Sequence, residues 1–121
     1  MIRRFMMVLS VALCMPLAGL AQQATDGTGG NLRVLDKVTG EVSDISLRSG
    51  QTQQLGYLRV KLDACRYPVS NPSGDAYAAI SVWYREAATP IFEGWIIASS
   101  PALYAMDHPR YDIWALRCTT S

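Results

Sequence analysis

Residues 92–118 read FEGWIIASSPALYAMDHPRYDIWALRC, and this stretch decides the fold. Ile91 to Ala98 is an apolar run of strand length, and Arg110 to Cys118 is a second. In the second run Trp114, Leu116 and Cys118 share one face, while Tyr111, Ile113 and Ala115 share the other. Between the two runs stands Ser99-Ser100-Pro101, a helix-start signal with Ser100 as N-cap and Pro101 at the first helical position. It predicts one short helix near 101–107, ended by Asp107-His108-Pro109. The stretch carries two of the three Trp, the single His and one Cys.

Working back toward the N-terminus, the periodicity stays close to two. Ala76 to Glu86 alternates Ala78, Ile80, Val82 and Tyr84 with Tyr77, Ala79, Ser81 and Trp83, so both faces are largely apolar. That pattern predicts a central strand covered on both sides, joined to Ile91–Ala98 by a hairpin turn over 87–90. Upstream, 67–75 reads YPVSNPSGD, a loop by its Pro, Gly, Asn and Asp content. In the strand expected from Leu55 to Ala64, Leu58, Val60, Leu62 and Ala64 alternate with Tyr57, Arg59, Lys61 and Asp63. Cys65 falls on the wet side of that alternation. Either a bulge intervenes near 63–65 or the cysteine sits at the rim of the sheet, and the rim is preferred because Arg66-Tyr67-Pro68 follows at once. Leu32–Val38, a Thr39-Gly40 turn and Glu41–Leu47 form a first hairpin. The whole predicts a mostly β domain, a small antiparallel β-sandwich or partly open barrel of about six or seven strands with one short helix.

The N-terminus is different. Arg3 and Arg4, an apolar run from Phe5 to Leu20 and small residues before Gln22 describe a secretory signal peptide, residues 1–21, cut after Ala21. The run is short for a bilayer span and Pro16 interrupts it, which argues against a retained anchor and against membrane insertion after cleavage. Cys14 lies inside this segment, and Leu13 before it is too large for a lipoprotein cut. Residues 22–31, QQATDGTGGN, hold no apolar side chain larger than Ala and are expected to form a flexible leader, with the globular domain spanning 32–121. Cleavage leaves nine basic against ten acidic residues, a net charge of −1 with His108 neutral. Such a balance does not suit nucleic acid as a partner. Cys65 and Cys118 remain, and an oxidising compartment makes them a disulfide pair. A loop of about 54 residues closed this way is worth roughly 4 kcal/mol in the chain-entropy account.

The segments LDKVTG (35–40), GQTQQLGYL (50–58), ACRYP (64–68) and the 92–118 stretch resemble a bacterial family, the domain of unknown function 2155, found mainly in alphaproteobacteria. The resemblance covers nearly all of the mature domain. It implies an envelope protein with a signal peptide and a paired cysteine, and it implies no activity and no catalytic residue.

Ser99, Ser100 and His108 with Asp107 or Asp112 are the residue types of an acyl-transfer triad. No nucleophile elbow frames either serine, and a capped helix accounts for Ser100. One His beside two paired Cys makes no transition-metal set, and no phosphate loop or dinucleotide fingerprint occurs, so no cofactor is expected. The aromatics carry more. Trp83, Trp95 and Trp114 with four Tyr in the same half are first of all core material for so small a domain. Exposed rings among them would mark a docking surface, and Trp95 and Tyr104, with His108 beside the expected helix, are the candidates. The sequence therefore predicts a periplasmic, non-enzymatic binding or scaffold module that takes an envelope protein as partner. An inhibitor or accessory of a secreted enzyme, marked by a protruding loop at 67–75, is one alternative; a hydrolase using Ser99 or Ser100 with His108 is the other.

Overall fold

The computed structural model describes residues 23–120. The expected signal peptide and Cys14 lie outside the described residues. Eight strands follow in order: β1 Ala24–Asp26, β2 Gly29–Asp36, β3 Val42–Arg48, β4 Thr52–Leu55, β5 Leu58–Pro68, β6 Tyr77–Tyr84, β7 Phe92–Ile97 and β8 Tyr111–Thr119. They form two antiparallel sheets. One runs β1-β5-β6-β7, with β4 also beside β5; the other runs β3-β2-β8. β4 and β1 share one flank of the long β5, pairing with its first and last thirds.

The core lies between the sheets. Leu58, Val60 and Leu62 of β5, Ala78, Ile80 and Val82 of β6 and Ile96 of β7 face Leu32, Val34, Ile45, Leu47, Ile113 and Ala115 of the other sheet. Each strand contributes alternate residues, as a sheet with one buried face requires. The arrangement is the expected sandwich.

Turn chemistry sets the hairpins. Asp36 Oδ1 accepts the amides of Val38 and Thr39, and Gly40 takes φ 77° to close β2 onto β3. Gly56, at φ 56°, occupies the first central position of a two-residue turn between β4 and β5. The single strand expected over 55–64 is thereby two: Leu55 ends β4, and β5 runs on through Arg66-Tyr67 to Pro68. Pro68 is tolerated because the β5–β6 ladder ends at Arg66, so its missing N–H leaves no bond to β6 unmade.

Cys65 is consequently not at a rim. It lies inside β5 and is 1% exposed. The β5–β6 register shifts between Leu62 and Ala64, so Asp63 is an extra residue and the inward phase moves from even to odd positions. Asp63 accepts a 2.6 Å hydrogen bond from Ser81 Oγ on the outer side. The same device recurs in β8. Asn31 faces Arg117 but Leu32 faces Ala115, which leaves Leu116 as the extra residue. Tyr111, Ile113 and Ala115 therefore point inward, Cys118 joins them, and Leu116 stands 36% exposed while Trp114 is half-buried. The expected face of Trp114, Leu116 and Cys118 does not form. The two cysteines are bonded, with Cα atoms 5.6 Å apart, and tie β5 of one sheet to β8 of the other.

Three further expectations are corrected. The leader expected over 22–31 is strand from residue 24. Asp26 sits opposite Arg66 and pairs with it at 3.1 Å, and Gly27 N–H donates to Cys65 C=O. Its glycines serve close approach: a Cβ on Gly30 would lie 2.9 Å from Cys65 Sγ. The helix expected near 101–107 is a turn, since Leu103 N–H bonds Ser100 C=O and Tyr104 then adopts φ 55°, which a helix cannot continue through. β6, expected to be covered on both faces, is covered on one. On the other, Tyr77 and Trp83 are half-buried, and Arg59 rests 5.4 Å over the Trp83 ring.

Candidate functional site

Three clusters hold the residues that chemistry would use. The first surrounds His108. Its Nδ1 accepts the amides of Arg110 at 3.0 Å and Tyr111 at 3.2 Å, so the ring is held with Nε2 as its only place for a proton. It lies against Tyr84, centroids 4.7 Å apart, and Tyr111, 5.8 Å. Burial and the nearby Lys37 ammonium push its pKa below the ordinary histidine value, against an opposing pull from Asp107. Arg110 is anchored by Asp36, with Nη2 to Oδ2 at 2.9 Å. That guanidinium, with two turn amides beside it, holds the Asp36 carboxyl down to about 2. His108 thus folds the β7–β8 connection onto the end of the sandwich.

The second cluster contains the serines. Ser99 Oγ donates to Asp75 Oδ2 at 2.6 Å, and Ser99 N–H donates to Oδ1 of the same carboxylate at 3.0 Å. Asp75, on the loop before β6, therefore fastens the end of β7, and Ser99 rather than Ser100 is the anchored serine. Neither serine is hydrogen-bonded to His108. The triad types are thus dispersed, Ser99 on Asp75 and His108 on backbone amides. The loop expected over 67–75 is also shorter, because Tyr67 and Pro68 belong to β5 and Asp75 is tied down; its exposed tip includes Val69.

The third cluster is apolar and open. Trp95 is 44% exposed and Tyr104 73% exposed. They line one groove of about 440 Å³, with Phe92, Glu93 and Gly94 along β7 and Ala105 on the turn. Strand alternation explains Trp95: Phe92, Gly94 and Ile96 point into the sandwich, so Glu93, Trp95 and Ile97 point out. The turn explains Tyr104. Its left-handed backbone lifts the ring away from the sheet, while Met106, 5% exposed, pins the segment beneath. Ala105 also borders a hollow on the other side, shared with Ile113 and Trp114 of β8. Of the three residues singled out from the sequence, the structure brings Trp95 and Tyr104 together and places His108 in the Tyr84–Tyr111 stack.

A feature that sequence reasoning missed is the pair of guanidiniums over Tyr57. Arg85 and Arg110 each stand 5.1 Å from its centroid, and Arg85 holds φ 56°. Nothing in the local pattern of residues 85 or 57 signals this. Among the described residues, no three His, Cys, Asp or Glu side chains gather as a metal set, and no helix is long and apolar enough to cross a membrane.

The model of a family described as an uncharacterized protein conserved in bacteria, DUF2155, matches residues 30–118, from the buried Gly30 to the second cysteine. The chain belongs to the DUF2155 family. An uncharacterized protein of Rickettsia prowazekii (strain Madrid E), RP359, is 31% identical to it over 94 residues, which cover 75% of this chain. The match spans 61% of that relative's length. No solved structure matches this DUF2155 chain.

Proposed function

We propose that this DUF2155 protein is an exported, non-enzymatic binding module of the bacterial cell envelope, and that it docks a protein partner on the face formed by β7 and residues 101–105. The observation that carries this reading is the exposure of Trp95 and Tyr104 within one groove. A small domain gains stability by burying its aromatic rings, about 1.5–3 kcal/mol for a large apolar side chain. Two left in water beside one another are the usual anchors of an interface. Export is supported by the Cys65–Cys118 bond, since such bonds persist in oxidising compartments.

The test is co-purification from the envelope fraction of native cells. A specific partner retained by the wild type and by Val42→Ser, on the other sheet, but lost from the Trp95→Ser, Tyr104→Ser double variant supports the reading. Retention by all three forms contradicts it.

A further inference from the structure

The proposed docking face includes the free edge of a sheet, and the direction of its backbone groups specifies how a partner would sit. Ala98 N–H donates to Ala76 C=O. In an antiparallel ladder this makes 76 and 98 a hydrogen-bonded pair and fixes the alternation beyond it. Ala78–Ile96, Ile80–Gly94 and Val82–Phe92 are then the bonded pairs. The other flank of β6 agrees, because Arg85 N–H bonds Tyr57 C=O and so directs odd-numbered β6 residues toward β5. Glu93 and Trp95 accordingly turn both N–H and C=O away from β6, along the groove. Ser100 N–H already satisfies the Ile97 carbonyl. No hydrogen bond among the described residues engages the outward groups of Glu93 or Trp95.

Other edges are better protected, β8 by Asp112, paired with Lys37 at 3.4 Å, by Arg117 and by the bulge at Leu116. β1 and β4 are three and four residues long. β3 carries Asp44, locked by Arg33 at 2.8 Å, with Arg48 at its end. β7 has no Lys or Pro, and an exposed Trp beside Ile97, the composition of a pairing template. The only charged side chain lining the groove is Glu93, which forms no ion pair among the described residues.

We propose that the partner enters the groove as an added β-strand. It is an extended peptide segment carrying a basic residue two positions from an apolar one, paired with β7 so that the basic side chain faces Glu93 and the apolar one faces Trp95. Tyr104 closes over the apolar residue from the opposite wall. A second copy of this chain fits less well: pairing β7 with β7 about Trp95 sets Ile97 against Glu93, and each copy's 101–105 turn meets the other's groove. This inference rests on the docking face proposed above.

The experiment uses the disulfide-bonded domain, residues 22–121, and backbone amide exchange followed by NMR. Without ligand, the amides of Glu93 and Trp95 exchange freely while those of Gly94 and Ile96 are protected; protection of all four overturns the proposal. The probe is the peptide acetyl-Thr-Thr-Lys-Thr-Val-Thr-Thr-amide at millimolar concentration. It is expected to protect Glu93 and Trp95 and to bind about fivefold more tightly than the same peptide with Glu for Lys. In Glu93→Lys that preference inverts. Equal binding of the two peptides, equal binding of a backbone N-methylated peptide, or a β7-mediated dimer in sedimentation overturns the strand-addition mode. The docking face fails separately, when co-purification no longer depends on Trp95 and Tyr104.

Discussion

Cys65 and Cys118 reach one another because each follows a strand bulge. Asp63 is the extra residue in β5 and Leu116 the extra residue in β8. Without either, strict alternation would aim one sulfur outward, since a one-residue slip exchanges the two faces of a strand. Deletion of Asp63, or of Leu116, removes the extra residue and makes the strand regular, with Leu62 inward, Ala64 outward and Cys65 inward, or Ala115 inward, Arg117 outward and Cys118 inward, so the bond is expected to form in both deletions. Ellman titration of the denatured, oxidised protein checks this: wild type and both deletions give no free thiol. Free thiols in a deletion variant would show that Asp63 and Leu116 are not the residues that set the phase.

The bond spans 53 residues and joins the two sheets. Cys65→Ser should lower stability by about 2–5 kcal/mol and melting by roughly 10 °C or more. The variant should then melt with reduced wild type. Coincident melting of the variant and oxidised wild type would make the bond idle.

Gly30 is a matter of space. A methyl there would stand 2.9 Å from Cys65 Sγ and 3.1 Å from the Arg117 carbonyl oxygen. Gly30→Ala is expected to cost about 1–3 kcal/mol by overpacking, read from the urea midpoint. Unchanged stability would show that β2 is not held against the disulfide.

Stability should fall in acid in two stages. The His108 pKa is depressed in the fold, so its contribution is complete above the ordinary value of 6.5 and is lost as pH falls through the lowered one. Asp36, held at about 2 against 3.8, gives a contribution present above pH 3.8 and lost as pH falls toward 2. His108→Gln should flatten the upper limb and Arg110→Gln the lower, in urea titrations from pH 8 to 2. Limbs unchanged by these substitutions would assign the losses to other groups.

Much of the architecture was legible in the sequence and some of it was not. Alternation in β5 and β6 and the Thr39-Gly40 turn follow from local chemistry, and the cysteine pair from the export that the N-terminal sequence leads one to expect. The bulges do not, because the partner strand decides where an extra residue is accommodated. Gly27, Gly29 and Gly30 have the composition of a flexible linker, yet they serve as small residues where backbones crowd. Ser100-Pro101 carries a true helix-start signal, but one turn cannot propagate once Met106 is drawn into the core and Tyr104 turns left-handed. Trp95 and Tyr104 stand out in the sequence as rings; their shared groove came only with the register of β7.

Tyr104 allows binding and stability to be separated. Glycine suits φ 55° better than tyrosine, and the ring is exposed, so Tyr104→Gly should keep stability within about 1 kcal/mol while removing one wall of the groove. A loss of 2 kcal/mol or more would place the ring in the fold's support rather than at an interface.

The most direct measurement is site-specific photocrosslinking in native cells, with a benzophenone side chain placed at Trp95, at Tyr104 or at Val42 on the opposite sheet. The same discrete crosslinked protein from positions 95 and 104, absent from position 42 and lost when Glu93→Lys is added, is the predicted result. No adduct, or equal adducts from all three positions, would contradict a docking face at β7.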